Sequence, residues 1–372
     1  MNEHWLENLK TNLPIFLSKL KKDENSYLPV LDGNTLAGKK LDLGFSCYAL
    51  KIFIITTYWE ELDTKNQENW INYIKSFQKQ SNYFPSNSFI DNNYLKFFSK
   101  QSFLQKIKEA AKSVLNKFTN KNYVLMDEKL DDFIKAETKQ AISTLKEVNQ
   151  INDLIYDEFP KSKKEIIDYL NSLDWSKPWN AGAQFSALCV FISTQIIKEE
   201  QRIELSSVLE DFILSIVDKD TGTFYKGDKP DDIEIINGAM KIITGLDWIK
   251  IDIPFPQKLL DTFLKIEPFD DGCDLVDIVY VIYMCSKSSD YKNDEIKNYF
   301  ENILSKIEEH YFPDLGGFSY FVNRSQTHYY GVNIAKGFNE PDIHGTLLLV
   351  WAISIISQVL DLPTSNWKTL KP

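Results

Sequence analysis

What the chain lacks narrows it first. It has no CxxC pair: Cys47, Cys189, Cys273 and Cys285 are scattered, and three of them sit inside apolar helical runs. That pattern reads as buried free thiols in a reducing cytoplasm. It has no excess of positive charge. A formal net charge of −11 argues against a nucleic-acid backbone or an anionic membrane as the main partner, because counterion release needs a basic face. The uncharged apolar runs, such as Gly345 to Val359, fall short of the roughly 20 residues of a membrane span. The opening MNEHWLENLKTNLPIFLSKL mixes both charge signs in an amphipathic pattern and lacks the basic start and cleavage site of a signal peptide. Residues 1–40 read as a first helix and a lead-in.

What is there is a repeat. With 43% hydrophobic residues over 372 positions, the chain can bury a substantial core. Asn339 to Leu360 begins with a polar knot, Glu340, Pro341, Asp342 and His344, and continues apolar on nearly every side. Pro341 suits a first helical turn and Asp342 the positive end of the helix dipole, so a buried helix is expected to start there. Five further stretches follow the same plan: Leu41–Tyr58, Asp131–Val148, Trp179–Ile197, Asp231–Leu246 and Asp274–Cys285. Asp131–Val148 is the most polar of the set.

Between them lie amphipathic segments, Gln67–Gln80, Lys163–Leu173, Gln201–Val217, Pro256–Ile266 and Asp294–His310. Their three- and four-residue apolar spacings give one buried and one wet face. Strands are set aside because the apolar stretches outrun a strand's usual five or six residues and lack hairpin turn signals. The expectation is an all-α chain, an (α/α)6 toroid of alternating outer and inner helices in one domain over 1–372. An extra helical insertion is expected at 94–118 and a long loop or lid at 311–340. Two loops, DKDTGTFY (218–225) and PDLGGFSY (313–320), share an acidic-glycine-aromatic form in which glycine supplies a positive φ. SNYFPSNSF (81–89) is a looser copy.

In such a ring the inner-helix N-termini meet at one mouth, the natural place for a site. Asp42, Trp179, Asn180, Gln184, Asp231, Asp232, Glu234, Asn237, Asp271, Asp274, Asp277, Asp342 and His344 would gather there. Helix capping is the competing explanation for each aspartate. Asp231 and Asp232 against Asp271 or Asp342 form a candidate acid and base pair. In Asn323–Phe338, Arg324, His328, Tyr329 and Tyr330 are residue types suited to neutralising a uronate and moving its proton. Trp179, Asn180, Gln184, Asn237, Tyr320, Arg324 and Tyr330 are the candidate substrate contacts; Asp231, Asp232, Asp342, His328 and Tyr329 are the candidate catalytic groups.

The glycine-aromatic loops and alternating helices resemble the α/α toroid of terpenoid cyclases and protein prenyltransferase β subunits. That resemblance implies a zinc ion held by Asp271, Cys273 and His344, in the places of the family's Asp-x-Cys and histidine, and an isoprenoid substrate. The family's basic residues ahead of the Asp-x-Cys are absent: TFLKIEPF (262–269) offers Lys265 beside Glu267. The six-hairpin arrangement also resembles unsaturated-glucuronyl hydrolases and sugar epimerases, which implies a glycan substrate handled by carboxylates, histidines and aromatics. A toroid serving only as a binding module is the third expectation.

Overall fold

The computed structural model describes residues 4–80, 84–99, 126–287 and 289–372. Thirteen α-helices lie among them: α1 (His4–Leu20), α2 (Leu43–Ile55), α3 (Thr64–Lys75), α4 (Asn92–Ser99), α5 (Met126–Glu147), α6 (Lys163–Ser172), α7 (Pro178–Gln195), α8 (Glu199–Ile216), α9 (Asp232–Ile249), α10 (Pro256–Phe263), α11 (Gly272–Ser286), α12 (Asn293–Glu308) and α13 (Ile343–Leu360). Six of them form the inner ring. α2 packs on α5, α5 on α7, α7 on α9, α9 on α11, α11 on α13, and α13 returns to α2. The amphipathic α3, α6, α8, α10 and α12 cover this ring from outside, and α1 lies against the hairpin at Phe318 through Trp5. The architecture is an (α/α)6 toroid.

The local reasons are the ones the sequence advertises. α2 and α13 are buried along almost their full length, which is why their apolar residues go all the way round. By length and composition alone the 18-residue α13 is apolar enough to cross a membrane, and 78% of it is buried inside the ring. In the ring it is enclosed by α2, α11 and α12. α7 and α9 approach closely through glycines. A Cβ at Gly238 would lie 2.6 Å from Pro178 Cβ, and one at Gly245 would lie 2.7 Å from the Phe185 ring.

Among the described residues sheet is confined to three two-residue hairpins, two of them in the acidic-glycine-aromatic loops or their looser copy. Tyr311–Phe312 pairs with Gly317–Phe318, and Gln78–Lys79 pairs with Ser88–Phe89. Val217 bridges Phe224 in the remaining loop. Gly222 (φ +76°) and Gly316 (φ +84°) take the left-handed conformation these turns demand. The third hairpin, His328–Tyr329 with Val332–Asn333, carries the 323–338 segment. Lys336 N and Gly33 O, Thr35 N and Ile334 O, and Ser325 N and Phe338 O tie this segment down. Of the stretch 94–118, the helix α4 is described to Ser99 and the rest lies outside the described residues.

Candidate functional site

The six inner helices enclose a cavity of about 360 Å³. One face of each helix lines it. On α5 the lining residues are Asp132, Lys135, Ala136, Lys139, Gln140 and Ser143, spaced three, four, seven, eight and eleven positions from the first, a single helical stripe. The stripe runs roughly 16 Å down the ring at 1.5 Å per residue. The polarity of Asp131–Val148 is therefore its lining face. His344, Leu347, Leu348 and Trp351 form the corresponding stripe on α13, with Cys273 and Asp277 on α11 and Tyr48 and Lys51 on α2. The C-terminal tail lies across the far end. Leu370 and Pro372 line the cavity, Lys371 N donates to Glu147 Oε1 at 2.7 Å, and Trp248 Nε1 donates to a main-chain oxygen of Pro372 at 2.7 Å.

Its charge is the reverse of the expected acidic mouth. Lys51, Lys135, Lys139 and Lys241 line it against Asp132 and Asp277. Lys51 and Lys139 make no hydrogen bond or ion pair with the described residues, whereas Lys241 Nζ stands 3.6 Å from Asp277 Oδ2. Burial, joined by repulsion from Lys241 and Lys51, pulls the Lys139 amine down to about 7. Burial also lowers Lys51. Asp277 is 2% exposed, and burial pushes its carboxyl up to about 6 against the pull of Lys241.

Most of the expected acidic residues serve their own helices instead. Asp231 accepts from Glu234 N at 3.0 Å and stays exposed, as does Asp232. Asp271 Oδ1 accepts from Cys273 N and Asp274 N at 2.9 and 3.1 Å. Asp342 is buried, taking Gly345 N at 2.7 Å on one oxygen and Tyr320 N (2.7 Å) and Gln326 N (3.1 Å) on the other. Burial raises its carboxyl to about 6 while those N–H groups favour the anion. A helix N-terminus leaves N–H groups unpaired, and the nearest short acidic side chain satisfies them before it can face a cavity. None of the aspartates of the expected acid and base pair, Asp231, Asp232, Asp271 and Asp342, is among the residues that line the cavity.

Other expected residues divide. Gln184 lines the cavity, accepting from Tyr169 OH at 2.9 Å and Lys135 Nζ at 3.4 Å. Trp179 stands at the rim, 39% exposed. Tyr330 reaches the cavity from the tip of its hairpin, held at φ +41° and stacked on Phe133 at 5.3 Å. Asn180 is exposed, and so is His328, whose ring pairs with Thr327 Oγ1. Arg324 is exposed and rests over the Phe321 ring at 4.3 Å. Tyr329 is buried and donates to Glu137 Oε1 at 2.8 Å. Asn237 is buried and donates to Asp274 Oδ1 at 2.8 Å.

His344 is held rigidly. Its ring stacks on Tyr48 at 4.7 Å and on Tyr320 at 5.5 Å, and Nδ1 lies 2.8 Å from Gln326 Oε1. An amide oxygen only accepts, so Nδ1 carries the proton and Nε2 is left as an acceptor. Burial, reinforced by Lys241 and Lys51, lowers its pKa to about 3 and keeps it neutral. Cys273 shares the cavity with His344, but Asp271 is committed to the cap. Among the described residues no three His, Cys, Asp or Glu side chains stand together as a metal-binding group. The zinc set expected from Asp271, Cys273 and His344 is not assembled.

The lysines are what sequence reasoning missed. Their signal was available: Lys51 and Lys241 are lone charges inside otherwise apolar helical runs, LGFSCYALKIFII and INGAMKIITG.

No family model and no curated protein matches this chain. One solved structure is similar: an inactive variant of the α-1,6-mannanase GH76A of Salegentibacter sp. HEL1_6, in complex with α-1,6-mannotetrose. The likeness has 12% identity, covers 96% of this chain and 98% of that one, and has a TM-score of 0.45. At that level it carries no residue correspondences.

Proposed function

We propose that the cavity binds and acts on an anionic, hydroxyl-rich small molecule of the sugar-acid class, a uronate or the end of a uronate-type glycan. The carrying observation is the set of buried polar atoms around the cavity that make no hydrogen bond among the described residues. Asp277 Oδ2, Ser186 Oγ and Trp351 Nε1 are buried without a hydrogen bond among the described residues, and each belongs to a lining residue. Beside them stand Lys51 and Lys139, which make no hydrogen bond or close ion pair among the described residues. An isoprenoid chain would leave all of these unpaired, at about 1–3 kcal/mol for each buried polar group. Sugar hydroxyls both donate and accept, and a carboxylate matches the lysines.

The roles follow from the surroundings. Lys51 and Lys241 face the carboxylate, and Trp179 and Tyr330 offer faces for a sugar ring. His344, neutral with Nε2 as acceptor, suits accepting a hydrogen bond from a sugar hydroxyl and so orienting the ring. Asp277, a carboxyl held near 6 in a dry setting, suits proton delivery near neutral pH.

Calorimetric titration with glucuronate, galacturonate oligomers, neutral manno-oligosaccharides and geranyl diphosphate tests the reading. The uronates are expected to bind, with affinity falling as salt is raised and about tenfold weaker in Lys51→Met or Lys241→Met, the equivalent of about 1.4 kcal/mol. Tighter binding of geranyl diphosphate or of the neutral sugars overturns it.

A further inference from the structure

Lys139 differs from its neighbours in the cavity. Lys241 has Asp277 at 3.6 Å, and Lys135 is held by Gln184 and lies over the Tyr169 ring at 5.5 Å. Lys51 has Glu147 among the charges that act on it. Lys139 sits deeper on the α5 stripe than Lys135, by about 6 Å at 1.5 Å per residue, with no ion pair or hydrogen bond among the described residues. The groups acting on it are Lys241 and Lys51, which repel its charge, and Cys189 and Asp277, which favour it. On its own helix Asp132 and Lys135 line the same cavity, and His344 faces it from α13.

An amine that is desolvated and placed beside other cations stays unprotonated and becomes a nucleophile. We propose that Lys139 forms an imine with the carbonyl carbon of an anionic aldehyde or ketone, the open-chain form of a sugar acid, whose carboxylate is held by Lys51 and Lys241. This rests on the sugar-acid reading of the same cavity and adds a covalent step to it. Nζ attacks the carbonyl carbon, forming the C–N bond. A proton passes from nitrogen to oxygen, giving a carbinolamine. The C–O bond then breaks and the oxygen leaves as water with both former N–H protons, so no oxidant or further reactant is needed. The resulting imine draws electrons from the bond next to the former carbonyl, the general use of such a linkage.

The test is reductive trapping on the full chain. Glucuronate, which opens to an aldehyde, is incubated with the protein and sodium cyanoborohydride, and the labelled peptide is identified by mass spectrometry. Methyl glucuronoside, which keeps the carboxylate but cannot open, serves as the non-covalent probe. The expected result is a label concentrated on Lys139, lost in Lys139→Met, and suppressed by excess methyl glucuronoside. Trapping should rise as pH passes through about 7. A label spread over exposed lysines, equal in the wild type and Lys139→Met, overturns the proposal. Binding of methyl glucuronoside without any trapping overturns the imine and leaves the sugar-acid reading standing; failure of both probes to bind removes both. Circular dichroism of Lys139→Met and of Lys139→Arg checks folding, and the arginine variant, which puts a permanent charge on a non-nucleophilic side chain, should bind methyl glucuronoside yet take no label.

Discussion

The His344 imidazole lies face to face with the Tyr48 ring, 4.7 Å between centroids and 10° between planes. With Gln326 fixing Nδ1 and Tyr320 covering the other face, the ring can neither turn nor gain a proton cheaply. Nitrogen-detected NMR is expected to find one neutral tautomer, protonated at Nδ1, between pH about 5 and about 8. Gln326→Leu should mix the tautomers without unfolding the chain. A titration of His344 near its ordinary value in the wild type would contradict the burial that defines this site.

Lys139 makes stability depend on pH. Its folded value is about 7 against 10.5 for a free lysine, so between these the unfolded chain binds a proton that the folded chain lacks. Stability should therefore rise with pH across that window. Lys139→Met should flatten the rise and add about 1–3 kcal/mol below pH about 7, within the range seen when buried charge is replaced by apolar side chains. Urea denaturation at several pH values reads both effects.

Glu137 carries the opposite slope. Burial, with repulsion from Asp91, pushes its carboxyl from 4.5 up to about 8. Between those values the folded chain keeps a proton that the unfolded chain has lost, so stability should fall as pH rises from 4.5 to about 8. Glu137→Gln keeps an acceptor for the Tyr329 hydroxyl, which donates at 2.8 Å, and should remove this slope. The variant should match the wild type near pH 4.5 and exceed it above pH about 8.

Two N-cap aspartates should differ in cost. Asp231 satisfies one N–H at the surface, so Asp231→Ala should lose about 1 kcal/mol. Asp342 satisfies Gly345, Tyr320 and Gln326 in the interior. Removing it loses the cap and leaves buried N–H groups unpaired, about 3–5 kcal/mol in total. Chemical denaturation of the two variants gives the difference directly, and equal losses would mean that the 320–326 loop relaxes to water.

Much of this architecture was legible along the chain, because helix periodicity, capping and turn glycines are local. The six inner helices, the outer amphipathic set and the positive-φ glycines Gly222 and Gly316 all stood in the sequence. The same locality misdirected the site. Asp231, Asp271 and Asp342 looked like converging acids because they begin inner helices, but a carboxylate at that position is captured by its own helix's free N–H groups. Tyr329 and Asn237 are the types that fill catalytic sites, yet both are committed to buried hydrogen bonds. Asp131–Val148 stood out as the most polar of the inner helices, and that polarity is the stripe that faces the cavity.

The sequence by itself determined the alternation of helices and that the most apolar of them, such as α2 and α13, must be buried, since a helix apolar on every side has no stable place in water. The tertiary structure alone decided which way each side chain points around the ring. A lone lysine in an apolar helix can snorkel outward or be held inside, and nothing in its neighbours along the chain chooses between them. Closing the ring turned Lys51, Lys139 and Lys241, on three separate helices, toward one cavity, so that their mutual repulsion and shared desolvation arise only in the folded chain.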